Sequence, residues 1–423
     1  MPLGLYISLP FCRTKCSYCN FASDVFSLGV FKRYVDRVCL DITRSAETAE
    51  HMGAVFERTV DSVYLGGGTP TLLDIAELRR LFVTISQNFD AQPEPEITVE
   101  CAPGTLTPGM LELFQMYGIN RVSLGVQSFV DHEARSVGRL HTCATILDDI
   151  ARLRTAGIEN INVDLIAGLP HQTSESWNAS ISQVIDSGVP HVSIYMLEVD
   201  EDSRLGRELI AGGTRYHAHF VPDEDVTADL YEIACARLDS AGIRQYEISN
   251  FAREGYESRH NLKYWTRQPY LGFGVDAHSM LPAKVGIEAQ NRPSPLSFRE
   301  GFSPRGICFA NSSPMGPTEA VRFSTPDSLD KFLSGGPTQR TLISPAAALE
   351  ESFFLGLRLN RGVDLSQLTA SFGGDAVTAF SPAISDFVER GLLKRDGETI
   401  RLTSRGRLLS NEVFATFLAT STA

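Results

Sequence analysis

The sequence of 423 residues lacks any apolar run near the roughly 20 residues that a helix needs to cross a bilayer. Its first residues, Met1 to Ile7, contain neither the positively charged segment nor the long apolar segment of a secretory signal peptide. From these two absences we expect a cytoplasmic protein. They leave peripheral contact with a membrane surface open.

The chain also lacks an excess of basic residues and a disulfide framework. Lys and Arg number 38 against 51 Asp and Glu, which gives a net charge of −13. Because phosphate binding calls for a basic surface, this balance argues against nucleic acid as a principal partner. Eight cysteines in a cytosolic chain do not indicate disulfides. The length allows one large domain and a smaller one.

Three of the cysteines, Cys12, Cys16 and Cys19, form a CxxxCxxC pattern. Thiolates are soft ligands that select iron–sulfur clusters, zinc or copper(I). A structural metal site normally has four protein ligands, whereas three cysteines on a 4Fe–4S cluster leave one iron open to a substrate or cofactor. The spacing therefore favours a 4Fe–4S cluster. The alternatives are a zinc knuckle with a remote fourth ligand, or coincidence.

Strand-like and helix-like segments alternate through the first two hundred residues. The apolar pattern predicts six strands, within 5–9, 62–65, 97–100, 121–126, 161–166 and 191–197, with helices such as 30–50, 75–89 and 174–187 between them. Repeated βα units imply parallel strands joined by right-handed crossovers. We predict an α/β fold built on a partial six-stranded (βα) barrel that is open on one side.

Composition divides the chain into three predicted parts. Residues 1–280 would form the barrel and its extension, and residues 281–343 form an insertion and linker rich in Ser, Pro, Gly and Asn. We interpret 282–317 as a long loop or a partly disordered segment. Residues 344–423 would form a small helical, winged-helix-like domain with a hairpin turning at Asp396-Gly397. Its balanced charge favours docking onto the barrel over DNA binding.

Glycines and polar residues occur at or just after the predicted strand ends. The carboxyl ends of barrel strands form the active-site mouth, so these residues should meet near the cysteines. A glycine run is by default a turn, but Gly66-Gly67-Gly68 would also let the backbone approach a ligand closely. Four further residues offer acceptors for an ammonium and for hydroxyls, and a cation for a carboxylate, although each could equally form an ordinary salt bridge. They are Glu100, Gln127, Arg139 and Asp164.

Together these motifs resemble the radical S-adenosylmethionine superfamily, and more narrowly its branch related to oxygen-independent coproporphyrinogen III oxidase. The motifs are the cysteine triplet, LGGGTPT at 65–71, GVQSF at 125–129 and DLIAGLP at 164–170. The resemblance implies a radical-SAM barrel with a 4Fe–4S cluster and S-adenosylmethionine. In that family the cofactor chelates the open iron, and an electron from a donor such as flavodoxin or ferredoxin cleaves it to a 5′-deoxyadenosyl radical.

The resemblance also implies which residues hold S-adenosylmethionine. Tyr6, Gly67 and Glu100 match positions that line a first S-adenosylmethionine site. The positions around a second one are Tyr18, Gly68, Thr69, Gln127, Arg139 and Asp164.

Two kinds of protein in this branch compete for the function. The oxidase converts coproporphyrinogen III to protoporphyrinogen IX by radical oxidative decarboxylation. It carries a further cysteine where this sequence has Phe21, and an extension before the barrel that we do not find here. The heme chaperones of the branch carry an HNxxYW motif, which residues 260–265 resemble. These features favour a chaperone that binds heme and delivers it to respiratory hemoproteins. Radical chemistry on an unrelated substrate is a third possibility.

His260, the first residue of that motif, is the candidate heme ligand, because imidazole is a common axial ligand of heme iron. The alternative is that His260 forms a local hydrogen bond while Tyr264 and Trp265 are packing residues. The sequence leaves open whether the chain is an enzyme and whether it forms a homodimer.

Overall fold

The computed structural model describes residues 1–201, 203–286 and 319–419. Among these residues, twelve strands form one large sheet and three form a small one. The large sheet contains β1 (Leu3–Leu9), β2 (Thr59–Gly67), β3 (Asp90–Cys101), β4 (Arg121–Gln127), β5 (Asn160–Ala167), β6 (His191–Met196), β7 (Arg244–Gln245), β8 (Asn250–Ala252), β9 (Tyr270–Phe273), β10 (His278–Pro282), β11 (Ala320–Ser324) and β12 (Gln339–Ile343). The small sheet contains β13 (Val363–Asp364), β14 (Leu393–Asp396) and β15 (Thr399–Leu402).

The helices lie between these strands and after the last of them. In chain order they are α1 (Leu28–Thr43), α2 (Ser45–Met52), α3 (Ile75–Asn88), α4 (Pro108–Met116), α5 (Asp131–Ser136), α6 (Cys143–Thr155), α7 (Ser174–Ser187), α8 (Arg204–Ala211), α9 (Glu224–Ser240), α10 (Arg259–Trp265), α11 (Leu329–Leu333), α12 (Pro345–Arg358), α13 (Leu365–Phe372), α14 (Gly374–Thr378), α15 (Ser381–Glu389), α16 (Ser404–Leu408) and α17 (Ser410–Ala419). In the part of the chain that the structure describes, we find no helix with the length and apolar character of a membrane span.

The six predicted strands are confirmed as β1 to β6, which pair in chain order and all run parallel. Every residue of β1 is buried, as expected for a parallel strand covered on both faces. Threonine caps start three of the helices that follow strands: Thr107, Thr142 and Thr173 each accept a hydrogen bond from the backbone N–H three residues further on. Local sequence thus determines this α/β core.

The sheet extends beyond the six predicted strands on both sides. Next to β1, β9 pairs in parallel, and β10, β11 and β12 continue the sheet in antiparallel pairing. Next to β6, β8 and β7 add two short antiparallel strands. These six additional strands were not predicted, because they are short and pair with distant parts of the chain.

The predicted insertion and linker, 281–343, is only partly described. Positions 287–318, which include most of the predicted loop, lie outside the described residues. The described remainder contains the end of β10 together with β11, α11 and β12. The division of the chain at 280 and 343 therefore stays a prediction.

The C-terminal module packs on the barrel, as predicted. Its helices surround the small sheet, in which β14 and β15 form the expected hairpin. Its two-residue loop is Gly397-Glu398, one residue later than predicted, and Gly397 has the positive φ of +59° that such turns require. Phe353, Phe380 and Phe417 form the centre of the module's core. That core extends to Trp265 on α10, which joins the module to the barrel.

Buried ion pairs reinforce this junction. Glu351 on α12 has only 2% of its side chain exposed and lies 2.9 Å from both Arg267 and Arg322. Arg358 at the end of α12 pairs with the fully buried Glu247 at 3.1 Å, and its guanidinium lies 4.2 Å from the Trp265 ring. Removing one partner of such a pair leaves a buried charge uncompensated.

We therefore expect Glu351→Ala to lower the free energy of unfolding by about 3–5 kcal/mol, because Arg267 and Arg322 would lose their shared carboxylate. Urea denaturation measures this change. Glu50→Ala is the matched control, because the Glu50–Lys284 pair is exposed and should contribute nothing measurable. Equal stability of the two variants would contradict a stabilising role for the Glu351 ion pairs.

Candidate functional site

The cysteine triplet lies in a loop that begins directly after β1 and is held by backbone hydrogen bonds to several elements. Cys12 N–H donates to Asp24 O at 3.0 Å, and Ser17 N–H donates to Val137 O at 3.2 Å. Ser17 O in turn accepts from Leu205 N–H on α8 at 2.8 Å. Segments that follow β1, β4 and β6 thus meet at this loop, so it lies at the predicted mouth of the barrel.

An aromatic cluster anchors the start of the loop. Phe11 is fully buried and stacks on Phe31 with a ring-centroid distance of 3.9 Å. It also contacts Tyr34, whose hydroxyl donates to Ser8 O at 2.6 Å and accepts from Val275 N–H at 2.8 Å. Because Phe11 directly precedes Cys12, these contacts determine where the first thiol lies.

The three thiols suit a soft metal centre. Cys16 is 7% exposed, while Cys12 and Cys19 are half-buried and none of them forms a disulfide. Burial raises the pKa of Cys12 to about 11, and the nearby Cys19 and Cys16 thiols add to the increase. A bound cluster would offset that cost by binding the thiolates. By the chemistry of its donors the triplet therefore fits the predicted 4Fe–4S cluster, while the described residues contain no group of three such donors already arranged around a single metal ion.

Arg139 contributes a positive charge next to the thiols. Its Nη1 donates to Cys16 Sγ at 3.5 Å, and its Nη2 donates to Gly125 O on β4. A Cβ at Gly125 would lie 2.7 Å from Arg139 Nη2 and 3.2 Å from Gln127 Nε2, so a larger residue there would shift the ends of both side chains. Gln127 itself ends β4 with a φ of +68°. Arg139 and Gln127 thus lie together near the cluster loop, as predicted.

The glycine run after β2 packs directly against the end of β1. Gly68 N–H donates to Leu9 O at 2.9 Å, and Thr69 N–H donates to Phe11 O at 2.7 Å. A Cβ at Gly68 would lie 2.6 Å from Phe11 O and 2.8 Å from Leu9 O, which are backbone atoms that cannot move independently. The run is therefore more than a turn, because it holds the backbone that leads into the cysteine loop.

Glu100, the second-last residue of β3, faces the same glycines. Its Oε2 accepts from Gly67 N–H at 2.8 Å and its Oε1 accepts from Tyr64 Oη–H at 3.0 Å. Burial raises the pKa of Glu100 to about 7 despite these two hydrogen bonds, and the charge of Asp164 contributes to the increase. A ligand ammonium would favour the ionised carboxylate. The geometry thus fits the predicted role of Glu100 as an acceptor.

Three of the predicted residues lie away from the strand ends. Asp164 lies within β5, three residues before its end, and accepts from Ser123 Oγ at 3.0 Å and Asn162 Nδ2 at 2.7 Å. Tyr6 lies within β1, with its ring 6.0 Å from that of Tyr64. Tyr18 packs on a small apolar group formed by Val137, Ile166 and Leu169. The predicted strand-end position of Asp164 is therefore wrong, since it points into the barrel.

The HNxxYW motif lies on α10, across the amino-terminal part of β1 to β3. His260 is 1% exposed, its Nδ1 lies 3.1 Å from Ser62 Oγ and its Nε2 lies 2.9 Å from Tyr264 Oη. Glu96 accepts from the His260 N–H at 2.9 Å, and Lys263 pairs with Asp61. Burial lowers the pKa of His260 to about 3. In this conformation a bond from His260 to heme iron would require breaking one of its two ring hydrogen bonds.

Sequence reasoning missed the polar partners inside the barrel, above all Tyr64, Ser123 and Asn162. Each lies two residues from another polar or glycine position on its strand, and alternate residues of a strand face the same side. That period of two in otherwise apolar strands was the available signal. Sequence reasoning also missed His171, which lies near three other histidines from distant parts of the chain.

Comparisons with known proteins indicate the family of this chain. The family model described as the radical SAM superfamily matches residues 6–184, and the model of the HemN C-terminal domain matches residues 343–409. The heme chaperone HemW of Lactococcus lactis is 30% identical over 421 residues, which cover 99% of this chain and 97% of that protein. The heme chaperone HemW of Bacillus subtilis is 30% identical over 414 residues, with 98% of each chain covered.

Among solved structures, coproporphyrinogen III oxidase (HemN) from Escherichia coli matches with a TM-score of 0.78 and 22% identity. The match covers 99% of this chain and 90% of that one. At this identity the likeness concerns the fold, which is the α/β radical-SAM fold with a C-terminal helical domain.

We expect Gly68→Ala to displace the end of β1, because the new Cβ would collide with the backbone of Leu9 and Phe11. The free energy of unfolding should fall by about 1–3 kcal/mol, and iron incorporation should fall with it. Urea denaturation and iron analysis after anaerobic reconstitution measure the two effects. Gly29→Ala on α1 is the control: a Cβ there meets nothing within 4 Å and should cause no loss. Equal iron content in both variants would contradict the expectation.

Glu100 should also give the protein a pH-dependent stability. Its folded-state pKa of about 7 exceeds the reference value of 4.5, so its contribution is fully present below 4.5 and is lost as pH rises through 7. Glu100→Gln should remove this loss, on the order of 2 kcal/mol between about pH 5 and about pH 8, in urea denaturation of the metal-free protein. Glu112→Gln, at an exposed position of α4, controls for the loss of a charge. An unchanged pH profile in Glu100→Gln would overturn this assignment.

Proposed function

This chain belongs to the radical SAM superfamily and, within it, to the family of the heme chaperone HemW, and we propose from this premise that it binds heme and delivers it to heme-accepting proteins of respiration. Membership of the superfamily implies a 4Fe–4S cluster and S-adenosylmethionine as its cofactors. The heme, its acceptors and the cytoplasmic location belong to the proposal. So do an electron donor of the flavodoxin or ferredoxin type, contact with a membrane surface, and a homodimer.

The observation that carries the proposal is the end-to-end similarity to proteins named heme chaperone HemW. It spans 97% of the Lactococcus lactis protein and includes both the barrel and the C-terminal module. The oxidase of the same fold shares only 22% identity. Position 21 agrees with this choice: Phe21 is 39% exposed where the oxidase would have a further cysteine.

We further propose that Cys12, Cys16 and Cys19 hold the cluster, and that Arg139 offsets the charge of the thiolates. When bound, the cluster and S-adenosylmethionine supply one-electron chemistry at the open iron. Gly67 and Glu100, with Tyr6 deeper in the barrel, would bind the cofactor in the first site. Such binding would use Glu100 as an ionised acceptor. The raised pKa of this buried carboxyl group supports a role beyond folding.

The second S-adenosylmethionine site is a separate part of the proposal. Gly68, Thr69, Gln127 and Arg139 lie around the cysteine loop, and their backbone and side-chain contacts support a shared site there. Asp164 lies in register with Gly125, whose carbonyl accepts from Arg139. Tyr18 lies between two of the cluster cysteines and would flank the same space.

Parallel assays on one anaerobically reconstituted preparation test the function. We expect hemin to bind stoichiometrically and to pass to an apo-hemoprotein acceptor, while coproporphyrinogen III is not decarboxylated. Absorbance of the heme Soret band follows binding and transfer, and chromatography of the porphyrins follows decarboxylation. Turnover of coproporphyrinogen III to protoporphyrinogen IX would overturn the proposal and establish the oxidase.

A further inference from the structure

Four histidines outside the cofactor site lie together on the mouth side of the barrel. His132 is in the first turn of α5 after β4, His171 follows β5, and His217 and His219 lie in the segment after α8 that follows β6. The ring centroid of His171 is 4.6 Å from that of His132 and 5.1 Å from that of His217. The carboxyl ends of three neighbouring strands thus bring together imidazoles about 40 residues apart in sequence.

A hydrogen bond between two of these rings determines which nitrogen is free. His171 Nε2 lies 3.3 Å from His217 Nδ1, so one ring donates and the other accepts. When His217 donates from Nδ1, its Nε2 carries a bare lone pair. Histidines that bind a metal through Nε2 commonly donate their Nδ1–H to an acceptor in this way. In that tautomer His217 has the arrangement of a metal-binding imidazole, with His171 as its acceptor.

The backbone holds both rings in place. His171 has a φ of +67° and His217 a φ of +62°, a conformation that side chains other than glycine adopt rarely. The His171 N–H donates to Phe220 O at 3.1 Å and so ties the two loops together.

Apolar and cationic groups adjoin the histidines. Phe220 is exposed, and its ring lies 4.0 Å from those of His171 and His219. The two residues that precede His217 in the chain, Arg215 and Tyr216, line an open cavity of about 460 Å³. Its other lining residues are Arg204, Arg207 and Glu208. None of the three arginines forms a salt bridge with a carboxylate in the described ranges. Glu208 is the one acidic group there, and its Oε2 already accepts from Tyr216 N–H.

From this arrangement we propose that heme binds at the mouth of the barrel, with its iron on His217 Nε2, its ring against Phe220, and its two propionates at the arginine-lined cavity. Heme combines an iron that prefers imidazole, a flat apolar ring and two carboxylates, and the surface offers a partner for each. This inference rests on the proposed function, since it assigns a site to the proposed cargo.

The proposal places heme away from the HNxxYW motif. His260 lies near the amino ends of β1 and β2, where its Nδ1 is close to Ser62 and a Cβ added at Gly4 would lie 3.2 Å from it. The segment that carries His217 instead adjoins α8, whose Leu205 N–H donates to Ser17 O in the cluster loop. Heme at the mouth would therefore bind on the same side of the barrel as the cluster.

Hemin titration of the reconstituted full-length protein tests the iron ligand. His217→Asn should abolish the imidazole-ligated spectrum in absorbance and electron paramagnetic resonance. His171→Asn should keep that spectrum but weaken affinity by about 10- to 100-fold, because it acts through His217 as a positioning residue. Asparagine tolerates the positive φ at both positions. His51→Asn, at an exposed position of α2, is the matched control and should bind as the wild type does.

The outcomes separate this inference from the proposed function. If the wild type binds hemin and both His217→Asn and His171→Asn retain its spectrum and affinity, heme binds elsewhere. The inference then fails, while the chaperone function stands. If the wild type does not bind hemin, the proposed function itself fails. If excess Zn²⁺ binds at His171 and His217 without changing hemin affinity, the group of histidines is a metal site that does not bind heme, and the inference also fails.

The arginines have their own test. Arg207→Glu and Arg215→Glu should weaken hemin binding by about tenfold each, and should leave the binding of hemin dimethyl ester unchanged, because the ester has no carboxylate. Arg405→Glu, exposed on α16, controls for the change of net charge. An equal loss for hemin and its ester would overturn the placement of the propionates at this cavity.

Discussion

The close contact between the glycine run and the end of β1 is the constraint on which the site depends. Two backbone hydrogen bonds, from Gly68 to Leu9 and from Thr69 to Phe11, join β2 to the residues that lead into Cys12. A side chain at position 68 cannot fit between them. The same run donates Gly67 N–H to Glu100, so one short segment positions both the cluster loop and the acidic residue. A change in this segment therefore affects the cysteine loop and Glu100 together.

Side chains inside the barrel connect its mouth with its opposite end. Tyr64 donates to Glu100 at the mouth, and its ring lies 5.3 Å from that of His260 near the amino ends of the strands. A strand rises about 3.3 Å per residue, so Ser62 beside His260 and Gly67 beside Glu100 are separated by roughly 16 Å along β2. Tyr64 spans part of that distance. Side-chain packing alone thus connects α10, which carries the HNxxYW motif, with the mouth.

How much could be predicted from the sequence depends on how local each interaction is. The six parallel strands are buried apolar runs bounded by polar turns, so their positions were predictable to within a few residues, and the cysteine spacing indicated the cluster. Strands β10 to β12 are joined by pairing between residues far apart, around positions that composition marks only as a loop. The contact of His171 with His217 likewise depends on two loops meeting at the mouth, and no spacing in the sequence encodes it.

The structure also gives the HNxxYW motif a structural role. Three of its named side chains have structural partners: His260 contacts Ser62 and Tyr264, and Trp265 lies under the Arg358 guanidinium of the C-terminal module. Lys263, between them, is paired with Asp61 on β2. A motif of this kind can distinguish a family because it fixes how the module docks, and it need not bind the cargo. Docking and cargo binding would then be divided between opposite ends of the barrel, with the cargo beside the cluster.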